Sequence, residues 1–251
     1  MKLMLAAREL DNILTFQAPS LELVKTKKRN TNSNLKSNGQ PKATKADPIR
    51  DTADIEKVQE YFLDNGNFRN YMLVTLGIHF ALRAGDLLSL RLKDVYEKGG
   101  KVKNSFFIHE EKTTKRRRVD INSLGKEILA YYWEEYAGHN MEEPLFPSRN
   151  YDKETGLKKP ITIQRLNQIL AEAQKTIGIE DHMSSHCLRK THAYQIMKKA
   201  ENKQEALYAM QHELNHSDAK ITMIYCGIED DIVKELNEST RSFTGNVKWK
   251  R

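Results

Sequence analysis

His186 and Arg189 stand three residues apart, and His216 is followed nine residues later by Tyr225. All four fall in the stretch Ser184 to Ile228, SSHCLRKTHAYQIMKKAENKQEALYAMQHELNHSDAKITMIYCGI. Residues three apart on a helix share a face, so His186 and Arg189 are expected to look the same way. His216 and Tyr225 would fold back onto them from later, shorter helices. A planar guanidinium binds two phosphate oxygens at once and stays charged. Histidine donates to a phosphate oxygen or moves a proton near neutral pH. A tyrosine phenol, with an ordinary pKa of about 10, becomes a covalent nucleophile once activated. Together these are the parts of a metal-free phosphoryl-transfer site acting on a nucleic acid.

Two earlier residues join the set. Arg83 lies in ALRAGDLLSLRLKDV, Lys112 in EEKTTKRRRVDI, and the distal pair in ELNHSDAKITMIYCGI. The ordered set Arg83, Lys112, His186, Arg189, His216 and Tyr225 resembles the catalytic set of the tyrosine recombinase (phage integrase) family. The likeness runs over residues 51 to 235. Its most specific part is the step from His216 to Tyr225 with Leu214-Asn215 ahead of it.

The resemblance implies a site-specific DNA recombinase that cleaves and rejoins strands through a 3′-phosphotyrosyl link. Arg83 and Arg189 would hold and neutralise the phosphate, with His216 donating a further hydrogen bond. Tyr225 would attack in line, Lys112 would give the departing 5′-oxygen its proton, and His186 would accept a proton near the tyrosine or donate to the phosphate. Two arginines and a lysine would do the work of a divalent metal, so no metal and no cofactor are expected. Lys190, in place of a common histidine or arginine, would touch DNA, as would Lys115, Arg116 and Arg118. Asp86, in place of a glutamate, would support Arg83. The implied partner is a double-stranded DNA recombination site on which protomers assemble as a dimer or tetramer, with an accessory DNA-bending or directionality protein. The helix holding Ile232, Val233 and Leu236 would dock on a neighbour.

The elements that must position these groups can be read in order. Leu3, Met4, Leu5, Ala7, Leu10, Ile13 and Leu14 recur at helical spacing, and Lys25 to Lys45 is a basic, Asn/Ser-rich linker. Residues 1–50 thus form a short helix and linker, a reduced or absent form of the family's core-binding domain. Residues 51–240 form the catalytic domain and 241–251 a basic tail. The predicted fold is α+β and mostly helical, with one small antiparallel hairpin sheet. Helices are predicted from Asp51, over Phe68–Leu82, Asp86–Leu92, Leu124–Tyr136, Ile161–Ile177, His186–Lys199, Gln204–Leu214 and Asp218–Tyr225, and around Asp230–Leu236. Strands are predicted over Ser105–His109 and Arg117–Ile121 with Lys112 to Lys115 as their turn, and Pro144 to Pro160 as a loop. Arg83 sits where two core helices break, and a buried ion pair with Asp86 is the plain structural alternative for it.

Composition bounds the rest. The chain has 251 residues and a formal charge of +7, which suits a polyanion partner without requiring one. No apolar run reaches the ~20 residues of a membrane span. Two cysteines, Cys187 and Cys226, make no disulfide framework, so a reducing cytoplasm is expected. A zinc site from His182, His186, Cys187 and His192 lacks paired ligand spacing. The rival functions are a non-catalytic DNA-binding regulator on the same fold and type IB topoisomerase-like strand relaxation.

Overall fold

The computed structural model describes residues 46–112 and 115–240. The chain divides into two compact units, residues 1–43 and 44–251, and all the described residues belong to the second. The expected N-terminal helix, nearly all of the basic linker and the tail from 241 lie outside the described residues. Residues 46–50, read as the end of the linker, are packed into the domain. Ile49 is fully buried, its N–H donates to Thr191 Oγ1 at 2.9 Å, and the Asp47 N–H reaches the His182 carbonyl at 3.1 Å.

The helices begin where short polar side chains can cap them. Asp51 accepts from Ala53 N at the head of α1 (Thr52–Asp64), and Asn122 from Gly125 N at the head of α5 (Ser123–Glu135). Thr162 accepts from Arg165 N ahead of α6 (Ile163–Ile177), and Asp218 from Lys220 N ahead of α9 (Ala219–Cys226). Each such cap satisfies an amide the helix cannot, worth about 1 kcal/mol. Gly178 ends α6 and Gly227 ends α9, both left-handed. Gly227 turns the chain directly into α10 (Ile228–Ser239). The helix expected around Asp230–Leu236 is therefore longer at both ends.

Helix α2 (Phe68–Phe80) is buried nearly all round and forms the centre of the main core. It stops at Ala81, whose φ of 49° is left-handed. A non-glycine residue pays roughly 1–2 kcal/mol for that conformation, so the break is held by what surrounds it. α3 (Ala84–Ser89) then starts two residues earlier than predicted, with Arg83 as its N-cap, and α4 (Leu92–Val95) follows. Gly77 brings the next important helix close. A Cβ there would sit 2.6 Å from Leu188 Cδ1, so only glycine lets the first turn of α7 (Cys187–Lys199) approach α2.

Strands β1 (Ser105–His109) and β2 (Arg116–Asp120) pair antiparallel, Phe106 opposite Val119 and His109 opposite Arg116. A second small antiparallel sheet, β3 (Pro147–Tyr151) with β4 (Lys158–Pro160), occupies the stretch read as a loop. The sequence there has few β-branched residues to signal strands. The C-terminal helices α7, α8 (Lys203–Glu213), α9 and α10 gather a separate, smaller core of Ala193, Met197, Met210, Leu214 and Cys226. Among the described residues no helix is long and apolar enough to cross a membrane.

Candidate active site

Glu110, just past β1, is the residue from which the site can be built. It is 1% exposed, and a buried carboxylate must find cations or donors. Its Oε2 lies 2.7 Å from Arg83 Nη1, its Oε1 lies 3.9 Å from Arg189 Nη1, and Asn215 Nδ2 donates to Oε2 at 3.3 Å. Arg83 thus pairs with Glu110, and the Arg83–Asp86 ion pair weighed as the plain structural alternative does not form. Asp86 instead accepts the backbone N–H of Glu111 at 3.0 Å, fastening the hairpin turn that leads to Lys112. Lys112 is exposed on that turn.

Arg189, 2% exposed, sits in the first turn of α7 and is locked from two sides. Its Nη1 donates to the Ala81 carbonyl and its Nη2 to the Leu214 carbonyl, each at 2.8 Å. The Ala81 carbonyl also receives Arg117 Nη1 at 3.0 Å, so the left-handed residue ending α2 presents an acceptor to two arginines. Arg117 further binds the Phe80 carbonyl and Glu213 Oε1, both at 2.9 Å. Glu213 in turn faces His192 Nε2 at 3.3 Å. Burial works against ionisation of Glu213, but the His192 contact and the Arg117 and Arg189 charges hold its pKa below the usual value.

His186 is the N-cap of α7 rather than a residue within it. Partial enclosure and then the charges of Arg189, Lys190, Arg83 and Lys112 push its imidazole pKa down. His216 Nδ1 lies 3.1 Å from Thr222 Oγ1, which leaves Nε2 as the nitrogen for a ligand. Enclosure, Arg189 and Arg83 lower its pKa as well. The His216 ring meets the Tyr225 ring edge-on at 5.1 Å between centroids. The Tyr225 hydroxyl is enclosed and meets the geometry of no hydrogen bond, although Arg189 stands close enough to pull on its proton. Burial wins, and the phenol pKa is raised.

Of the six residues singled out from sequence, His186, His216 and Tyr225 therefore gather around Arg83 and Arg189, while Lys112 stands exposed on the hairpin turn with its charge felt at His186. The four expected DNA contacts divide. Lys115, Arg116 and Arg118 are exposed on the hairpin; Lys115 donates to Asn215 Oδ1 at 2.8 Å, Arg116 covers the Phe107 ring at 3.8 Å, and Arg118 pairs with Asp120 at 2.7 Å. Lys190 corrects the expectation. It is 5% exposed, donates to the Ala46 carbonyl at 2.7 Å, and stands 5.5 Å over the Tyr225 ring. Its place is beneath the tyrosine, because the helix face that presents Arg189 to the site turns Lys190 into the packed segment 46–50. Cys187 is fully buried, and burial pushes its thiol up to about 12, which leaves it inert as a nucleophile.

Glu110, Arg117 and Thr222 were missed from sequence. For Glu110 and Arg117 the signal was the two-residue alternation of the strands; Thr222 lies on α9, where no such pattern marked it. Phe106, Ile108 and Glu110 share one face, as do Arg117, Val119 and Ile121.

A mostly helical domain carrying two small antiparallel sheets is the fold of a tyrosine-recombinase catalytic domain. The chain belongs to the phage integrase family, whose model matches residues 50–231. It is 36% identical over 188 residues to the probable integrase/recombinase YoeC of Bacillus subtilis (strain 168), covering 74% of this chain and 92% of that one. In fold it resembles the crystal structure of XerA recombinase, with a TM-score of 0.56 at 18% identity over 79% of this chain and 67% of that one. It also resembles XerH site-specific recombinase bound to palindromic difH substrate, with a TM-score of 0.54 at 20% identity over 77% and 53%.

Proposed function

We propose that this chain is a site-specific DNA recombinase whose nucleophile is Tyr225. The observation that carries the reading is the seating of Tyr225 against His216 and within reach of Arg189, which shares Glu110 with Arg83. The Tyr225 phenol oxygen bonds to phosphorus as the bond to the 5′-oxygen breaks. The phenol proton passes to His186, kept neutral near pH 7 by its lowered pKa. Arg83, Arg189 and His216 stabilise the charge on the non-bridging oxygens, and Lys112 protonates the departing 5′-oxygen. One phosphoester is exchanged for another, so a second 5′-hydroxyl can reverse the step without an external energy source.

The partner is double-stranded DNA; XerH was solved bound to its palindromic difH substrate. Exposed Lys115, Arg116 and Arg118 on the hairpin are placed to follow its phosphates. Assembly into dimers or tetramers, with an accessory DNA-bending protein, completes the reading.

The test is covalent trapping on nicked suicide DNA built from candidate recombination sites, in EDTA. Wild type is expected to give an SDS-resistant protein–DNA adduct and Tyr225→Phe none. An adduct that persists in Tyr225→Phe means another nucleophile. Tight binding with no adduct from wild type favours a DNA-binding regulator instead.

A further inference from the structure

Glu110 sits on the inward face of β1's extension, in line with Phe106 and Ile108, where an apolar residue would be ordinary. Its backbone is fixed by the hairpin, since its N–H donates to the Lys115 carbonyl at 3.0 Å. Its side chain meets three segments far apart in sequence. These are Arg83 at the α2–α3 break, Arg189 at the head of α7, and Asn215 in the turn before His216. Asn215 is itself left-handed, with φ of 55°, and its Oδ1 takes Lys115 Nζ at 2.8 Å. The same carboxylate thus touches Arg83 and the turn that aims His216, and faces Arg189 at ion-pair range, 3.9 Å away. It also stands two residues from Lys112.

Two guanidiniums converging on one phosphate repel each other, most strongly where water is excluded. A fixed anion between them offsets that repulsion and holds them at the separation a phosphate needs. The charge count also suits the substrate. Two arginines and one carboxylate leave a net single positive charge, matching the single negative charge of a phosphodiester.

We propose that Glu110 is a positioning residue for strand cleavage, setting the spacing and net charge of the Arg83–Arg189 pair. It does not touch DNA; it acts through the two arginines, and the inference rests on the phosphotyrosyl reading above. Neutralising Glu110 loosens the pair and weakens charge stabilisation in the transition state, while binding through the exposed hairpin cations persists.

The experiment compares wild type with Glu110→Gln, which keeps the shape and loses the charge. Each is given nicked suicide DNA with either a phosphodiester or a methylphosphonate at the scissile position. The methylphosphonate lacks the negative charge that the arginines neutralise. Single-turnover adduct formation, DNA affinity by mobility shift and the melting temperature are read together. E110Q is expected to bind DNA within about twofold of wild type, because phosphate contacts dominate affinity. Its adduct formation on the phosphodiester should slow at least about tenfold, the scale of lost outer-shell support. On the methylphosphonate, the slowing relative to wild type should shrink to less than about threefold, because the donors' charge matters less there.

Equal slowing on both substrates, or no slowing, overturns the proposal. If E110Q does not fold, Glu110→Asp takes its place, keeping the charge with a shorter reach. Its defect must likewise be larger on the phosphodiester, and equal defects overturn the proposal. Absence of any adduct with wild type on the phosphodiester removes the phosphotyrosyl reading itself, and this inference with it.

Discussion

Arg116, Arg117 and Arg118 are consecutive arginines of one strand with different surroundings, and replacing them one at a time separates folding from binding. The Arg117 side chain is 12% exposed and holds the Phe80 carbonyl, the Ala81 carbonyl and Glu213. Removing one partner of a buried ion pair costs about 3–5 kcal/mol. Glu213 is partly open to solvent and keeps His192, which discounts that figure, and Ala81 keeps Arg189. Arg117→Ala is therefore expected to destabilise the domain by about 2–3 kcal/mol. For a domain of this size that lowers the melting temperature by about 5–10 °C.

Arg118 is exposed and, among the described residues, paired only with exposed Asp120, so Arg118→Ala should change stability by less than about 0.5 kcal/mol. Its effect belongs in the salt dependence of DNA binding, where each lost phosphate contact reduces the slope of log affinity against log salt by about 0.9. The assay is thermal melting of both variants together with DNA binding over a salt series. Equal melting temperatures, or a loss of salt slope in Arg117→Ala as large as in Arg118→Ala, would refute the division of roles.

Further outcomes can be measured. With its pKa held below the ordinary 6.5, His186 stays neutral at pH 7, so the acid limb of single-turnover adduct formation should lie below pH 6.5. A limb above that value would contradict a proton-accepting His186. Enclosure above all lowers the pKa of His79, whose Nε2 accepts the Asn122 N–H at 3.0 Å. A depressed histidine stabilises the fold fully above its unfolded pKa, and that contribution fades as pH falls through the folded value. Denaturant midpoints should therefore drop from pH 7.5 to pH 5, and less so in His79→Gln, which can still accept that hydrogen bond. Lys190→Met should leave the salt slope of DNA binding unchanged, because Lys190 is buried under Tyr225; a shallower slope would return it to the DNA surface.

The six residues proposed to react stood out as a set because each falls in a string with its own spacing. Helix ends were legible at Asp51, which caps α1, and at Gly178, which ends α6. The supporting charges were not. EEKTTKRRRV reads as a run of solvated charge, which masks the alternation that turns Glu110 and Arg117 inward and Arg116 and Arg118 out. Lys190 was misread for the same reason, because its burial depends on residues 46–50 crossing α7. Sheet β3–β4 escaped notice because its register is shifted between Pro147 and Tyr151 and its strands are short and polar.

The two hydrophobic clusters give the site two tempos. Helix α7 starts in the large core with Cys187 and Leu188 and ends in the small one with Ala193 and Met197. Arg189 follows directly on the larger cluster, whereas Tyr225 packs on the lesser one. Local opening requires less free energy where fewer apolar contacts must break. Backbone amides of α9 and α10 are expected to exchange their hydrogens well before those of α2. On that ordering, Tyr225, the proposed nucleophile, is expected to lift away and resettle while the proposed phosphate-binding arginines stay in place.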